Sequence, residues 1–212
     1  MRFGRRLPRS FFARPSTVVA PDLLGRVVVR TLGDGTRLAG RIVEVEAYQQ
    51  DDPASHSFRG PTARNAVMFG PPGFLYVYFT YGMHFCTNVV TGRVGEGSAV
   101  LLRALEPLEG IEVMRANRGV EPVRLLCSGP ARLTQALAIT RAHGGEDVVR
   151  GSAIAMHEGT PVPAARIERT TRVGIRVAAD RPWRYLERAN TFVSPGRPST
   201  AAPAVVRGSR RP

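Results

Sequence analysis

Apolar and polar positions change rhythm along this chain, and the changes mark its elements. From Leu38 to Tyr48 they alternate. Val43, Val45 and Ala47 share one face of an extended segment, and Ile42, Glu44, Glu46 and Tyr48 share the other. Arg26 to Thr31 reads as a preceding strand, with Gly33-Asp34-Gly35 as the turn. Upstream, Val18, Val19, Leu23 and Leu24 fall on one stripe of a short helix from Thr17 to Leu24, capped by Ser16 or Thr17 and stopped by Gly25. Ser98 to Leu105 is a nearly continuous apolar run, a strand buried on both faces that Glu106-Pro107 ends. Glu109 to Arg118 and Arg132 to Ile139 have helical spacing, and residues 152–157, 172–179 and 191–194 read as strands. Asp52-Pro53 has the form of a helix start, an N-cap acceptor before proline, with His56 in the first turn. Residues 59–73 form a loop punctuated by glycine and proline.

The stretch Phe74 to Val90, FLYVYFTYGMHFCTNVV, gathers three of the nine phenylalanines and three of the five tyrosines. It reads as two strands around Gly82-Met83, which suits a two-residue type II′ turn. Tyr76 and Phe85 fit a buried sheet face. Tyr78 and Tyr81 are open between core and surface, since an aromatic at a hairpin tip is also the form of a wedge for nucleic acid. Strands in groups with interspersed helices, and no GxGxxG, point to α+β with a mostly antiparallel sheet. The expected layout is a basic arm over 1–15, one domain over 16–195 and a disordered basic tail over 196–212.

Charge narrows the partner. The net charge is +13, and all 30 basic residues are arginine, which favours a polyanion. The hydrophobic share of 43% is enough for a core, so this is not merely a basic tail. Cys86 and Cys127 form no CxxC, which excludes zinc ribbons, redox dithiols and disulfide frameworks, and fits a reducing compartment. No apolar run approaches the roughly 20 residues of a membrane span. A cytoplasmic protein is expected, nucleoid-associated if bacterial. Two residue groups carry candidate chemistry. Glu44, Glu46 and Tyr48 on one strand face are either a solvated surface or a carboxylate pair in a pocket. Arg103 inside AVLLRAL needs a carboxylate partner or a functional role.

The stretches RIVEVEAYQQDDPASHS, RNAVMFGPPGFLYVYFTYGMHFCTNVV, AVLLRALEPLEGIEVMR and LCSGPARLTQALAIT together resemble the alkyladenine (3-methyladenine) DNA glycosylase family, from about Pro8 to Ser194. The motifs are long and contiguous, which makes the match specific. The resemblance implies a single compact domain around a curved antiparallel sheet with a protruding hairpin. It implies a monofunctional enzyme, without cofactor, that excises alkylated or deaminated purines such as 3-methyladenine and hypoxanthine from double-stranded DNA as a monomer. In the family's pattern Glu46 is the general base, Arg103 helps to hold the attacking water, and the Val173 carbonyl is that water's third contact. Tyr48 and Tyr78 sandwich the flipped base, and His56 hydrogen-bonds it. Asn88 crowds the exocyclic amine of normal guanine, and Tyr81 fills the vacated stack. A regular two-residue hairpin would pair Tyr78 with Thr87 and turn Asn88 to the opposite face, so the resemblance requires a bulge or a longer turn.

The absence of lysine removes the side-chain amine that bifunctional glycosylases use for a Schiff base. No H-x-E with P-C-x-x-C is present for a zinc deaminase. A non-catalytic minor-groove or structured-RNA binder would keep the basic charge and the wedge. It would not need both Glu46 and Arg103.

Overall fold

β2 (Arg37–Tyr48) is the strand on which the others assemble. One of its edges carries β5 (Ala99–Glu109). Its other edge is divided between β1 (Val27–Thr31), along residues 37–41, and β8 (Arg184–Glu187), along residues 44–46. β3 (Leu75–Thr80) and β4 (His84–Val90) continue the sheet beyond β5. β6 (Ile154–His157) continues it beyond β1, and β7 (Ile167–Thr170) beyond β8. Every pairing is antiparallel, and the described residues form one curled sheet of eight strands. The structure is a computed structural model, and it describes residues 1–80 and 84–200.

The alternation in β2 holds from Glu44 to Tyr48, but a register shift at Val43 breaks it upstream, so that Ile42 rather than Val43 joins the core cluster. Val45 and Ala47 enter the core with Val89, Val100 and Leu102 from neighbouring strands. Helices α1 (Arg9–Phe12), α2 (Ser16–Leu23), α3 (Ile111–Arg118) and α4 (Pro130–Ala136) add Phe12, Val19, Leu23, Met114 and Leu133 to the same cluster. Truncating one such leucine to alanine costs about 2–5 kcal/mol, so each helix is held chiefly by the face it buries. Gly25 follows α2 at φ +85°, where a Cβ would stand 2.0 Å from the Thr160 carbonyl oxygen. The molecule is one α+β domain.

Several elements differ from the pattern. Residues 51–59 make successive turns instead of a helix: the Asp52 carboxylate accepts the Ala54 N–H as a cap would, but it also pairs with buried Arg172, and no helix follows. β5 runs past Pro107 to Glu109, with Pro107 beside a register shift that spares its missing N–H. No strand spans 172–179: Gly174 and Ala178 have positive φ, and Val173 makes a single bridge to Pro198. No strand forms at 191–194, where Asn190 turns the chain by accepting from Phe192 N–H. The strands after 160 are β7 and β8 instead.

The hairpin register shifts by one. Thr80 pairs with His84, Tyr78 with Cys86 and Tyr76 with Asn88, which leaves three residues, 81–83, between the strand ends. Tyr76, Tyr78 and Asn88 therefore share a face. In the segment expected as an arm, Leu7 and Phe12 are buried and Arg9 pairs with Asp147. In the expected tail, residues 198 and 199 pack against the 171–175 loop. Residues 201–212 lie outside the described residues.

Candidate active site

One rung of the sheet crosses four strands. Glu46 on β2 faces Leu101 on β5, Leu101 faces Asn88 on β4, and Asn88 faces Tyr76 on β3. Directly paired residues point to the same side of a sheet. All four line a cavity of about 370 Å³, which Tyr48, His56, Tyr78, Arg103 and Val173 complete. Seven of the eight residues expected at a site thus meet around one cavity. The eighth, Tyr81, lies outside the described residues.

Arg103 reaches this cavity through a bulge. Val45 pairs with Leu102 and Glu44 with Ala104, so Arg103 is the unpaired extra residue between them. A second bulge at Val43 lies between the Ile42–Leu105 and Glu44–Ala104 pairs. Such bulges re-aim side chains. Here Arg103 Nε donates to Glu44 Oε1 at 3.0 Å, while its Nη1 lies 3.4 Å from Glu46 Oε1. Arg103 thus pairs with both carboxylates, Glu44 the closer of the two. Burial works against the Arg103 charge. The neighbouring Glu46 and Glu44 more than compensate and hold its pKa above the usual arginine value.

Glu46 is fully buried. Its Oε1 accepts the Val173 N–H at 2.7 Å, and its Oε2 accepts the Tyr48 hydroxyl at 3.0 Å. Burial, reinforced by the Glu46 charge, pushes the Tyr48 phenol well above its ordinary range, so Tyr48 keeps its proton and remains a donor. The Tyr48 ring lies 4.6 Å from the guanidinium of Arg172, which also packs 5.3 Å from Trp183. Arg172 has no exposure at all and pairs with Asp52, likewise fully buried. It also donates to the Ala47 carbonyl at 3.2 Å and the Ala178 carbonyl at 3.3 Å. This packed cation fixes the plane of the Tyr48 ring.

Three further aromatic rings line the cavity. Tyr76 and Tyr78 stack with centroids 5.5 Å apart, and His56 meets Tyr78 edge-on at 4.6 Å. His56 Nδ1 lies 2.9 Å from the Tyr76 hydroxyl, and the His56 carbonyl accepts from Asn65 Nδ2 at 2.8 Å. Burial, then the charge of Arg64, lowers the His56 pKa below its usual value of 6.5, so the ring is neutral at neutral pH. Burial raises the Tyr78 phenol far above its ordinary range. Asn88 directs Nδ2 to the Tyr76 carbonyl at 3.1 Å, which fixes the amide against the cavity.

The sequence reading missed Tyr76, Arg172, Asp52, Arg184 and Ser194. Tyr76 stands two residues before Tyr78, and that period-two spacing is the one signal that could have placed it on the cavity side. Arg172 adjoins Val173 in the sequence, yet nothing local marks it as buried. Among the described residues, no group of three or more His, Cys, Asp or Glu is placed to share a metal ion. What converges is a carboxylate with an adjacent guanidinium, a phenol, an amide and flat aromatic surfaces. Such a site can hold a planar group by stacking and present a proton acceptor at its margin.

A profile of the methylpurine-DNA glycosylase (MPG) family matches residues 10–191. A relative from Carboxydothermus hydrogenoformans is 52% identical over 188 residues, which cover 89% of this chain and 98% of the relative. Another from Rhodopseudomonas palustris (strain BisB18) is 51% identical over 194 residues, covering 92% and 93% of the two chains. A third from Methanoculleus marisnigri is 48% identical over 190 residues, covering 89% and 98%. All three carry the name "Putative 3-methyladenine DNA glycosylase".

Proposed function

The chain belongs to the methylpurine-DNA glycosylase family, and from that membership we propose that it is a monofunctional DNA glycosylase. It flips 3-methyladenine and related alkylated or deaminated purines, hypoxanthine among them, out of double-stranded DNA and excises them. The observation that carries this reading is the buried Glu46 carboxylate on the wall of an aromatic cavity, with Arg103 3.4 Å away.

In this mechanism the flipped purine stacks between Tyr48 and Tyr78, which is tolerant of base identity. Neutral His56 hydrogen-bonds the base edge, and Asn88 crowds the position of guanine's exocyclic amine. As the glycosidic bond breaks, its electron pair leaves with the purine and positive charge builds on the sugar. A water held by Glu46, Arg103 and the Val173 carbonyl attacks C1′ and gives its proton to Glu46. The Glu46 carboxylate also stabilises the sugar cation. An alkylated purine already carries the charge that makes it a good leaving group. A deaminated purine takes up a proton first. Tyr81, on the hairpin between β3 and β4, fills the space that the flipped nucleotide leaves.

The products are free purine and an intact abasic strand, because no lysine is available to form a Schiff base and carry elimination onward. The enzyme acts as a monomer in the cytoplasm, close to the nucleoid. Its arginines bind the DNA backbone without sequence preference, so affinity falls steeply with salt. The unit over residues 16–195 carries the site, with Leu7, Arg9 and Phe12 on one side of it and residues 198–199 on the other packed against it. No described helix is long and apolar enough to cross a membrane. The experiment that tests the reading is base release from duplexes that each carry one defined lesion, with strand cleavage followed separately. Release of the damaged purine with the strand uncut is expected. Strand scission without added base, or no release from any lesion, would contradict it.

A further inference from the structure

Residues 194–199 run along the back of the cavity, beyond residue 191 where the family match ends. Ser194 gives its N–H to Glu44 Oε2 at 2.7 Å and its hydroxyl to Glu44 Oε1 at 2.9 Å. Gly196 sits against both Val173 and Arg103. A Cβ there would come within 2.7 Å of Val173 Cγ1 and 3.3 Å of Arg103 Nη2. Pro198 bridges Val173, and the Ser199 N–H donates to the Arg172 carbonyl at 2.7 Å. The Ser199 carbonyl accepts the Thr171 hydroxyl at 2.8 Å, and the Ser199 hydroxyl accepts the Ile175 N–H at 3.1 Å.

The loop so gripped delivers the Val173 N–H to Glu46. It has no ladder of its own, because β7 ends at Thr170, Gly174 turns at φ +74°, and Val173 makes only the isolated bridge. Backbone groups that lack a ladder need other partners, and Ser199 supplies them for Arg172 and Ile175. We propose that residues 194–199 form a positioning strap that holds the Val173 loop and Arg103 in register with Glu46, so that base release depends on a segment outside the family's matched span. The inference rests on Glu46, Arg103 and Val173 as the groups that hold and activate water. A displacement of about 1 Å at such groups is enough to cost about 100-fold in rate.

The test uses single-turnover base release, lesion-DNA binding and amide exchange on the full chain. Gly196→Val pushes on Val173 and Arg103, and should slow release about 100-fold while lesion binding is retained. Ser199→Ala removes one hydrogen bond to the loop and should slow release about 3- to 10-fold, with faster exchange of the Val173 and Ile175 amides. Ser199→Thr keeps the hydroxyl and should restore both. A chain ending at Thr200 should match the full chain, and one ending at Pro195 should bind lesion DNA yet release base slowly. Wild-type rates in both Gly196→Val and Ser199→Ala would overturn the strap. If Gly196→Val or the chain ending at Pro195 does not fold, the Ser199 pair decides in the same way. If the wild-type protein releases no base, the proposed function fails, and the strap is judged by exchange alone: unchanged Val173 and Ile175 exchange in Ser199→Ala would overturn it.

Discussion

Glu44 and Glu46 lie two residues apart on β2, both without solvent exposure, and keep different company. Glu44 accepts from Arg103 Nε, Arg184 Nε, Ser194 N–H and the Ser194 hydroxyl, at 2.7–3.0 Å. Three of these donors crowd Oε1 and the fourth takes Oε2, so the protein occupies both oxygens, and Glu44 is not among the residues that line the cavity. Glu46 accepts two hydrogen bonds, from Val173 and Tyr48, and borders the cavity. The pair teaches that burial and charge do not identify a reactive carboxylate. What separates them is whether the protein consumes the acceptor capacity or leaves some facing open space. Glu44 is built as structure: it fixes Arg103 and Arg184 and closes the chain at Ser194.

Unfolding free energies should separate the two regions most widely. Glu44→Ala strips buried Arg184 of its carboxylate and leaves buried Arg103 only Glu46, and should cost about 3–5 kcal/mol in urea unfolding. Glu46→Ala leaves Arg103 paired with Glu44 and should cost less. Equal losses would break the contrast. Next in size, Asp52→Asn takes the negative charge from fully buried Arg172 and should cost about 1–3 kcal/mol. It should also slow base release by loosening the ring of Tyr48, and an unchanged rate would detach Arg172 from the site. Tyr76→Phe removes the hydroxyl that meets His56 Nδ1 and should cost about 0.5–1.5 kcal/mol, with release slowed more than lesion binding is weakened.

The smallest effect is a pH dependence. Burial, then Arg64, places the His56 pKa below 6.5 in the folded protein. Between that lowered value and 6.5 the unfolded chain binds the proton more readily. The contribution of His56 to stability is therefore full above 6.5 and falls as pH drops through it. His56→Gln should flatten this part of the stability profile relative to wild type. An identical slope in both proteins would mean that His56 is not held neutral by its surroundings.

Much of the scaffold was legible because period-two alternation survives in β2 from Glu44 to Tyr48, and helical spacing in α2, α3 and α4. The site was legible only in part. Its residues come from four strands and two loops, and the rung from Glu46 to Tyr76 depends on pairing registers that no local pattern encodes. The bulges at Val43 and Arg103 are single-residue insertions against a partner strand, invisible without that partner. The hairpin turn was read one residue too short, which misplaced Asn88 until the observed register returned it to the face of Tyr76 and Tyr78. The 51–59 and 171–175 segments are shaped by the buried Asp52–Arg172 pair and by residues 198–199, contacts between parts of the chain more than 20 positions apart. Tyr76 was assigned to the core because alternation gives the same signal for a buried face and a cavity wall.

The division of labour between the two carboxylates is tested most directly by single-turnover release of one defined purine lesion from duplex DNA, compared in Glu46→Gln and Glu44→Gln proteins shown to be folded and to bind the lesion. Glutamine keeps the shape of either side chain and takes away its charge and its ability to accept a proton. Glu46→Gln should lose about 10²–10⁴-fold in release rate, whereas folded Glu44→Gln should keep most of the activity despite its lower stability. Near-normal release by Glu46→Gln together with loss of release in folded Glu44→Gln would contradict the account.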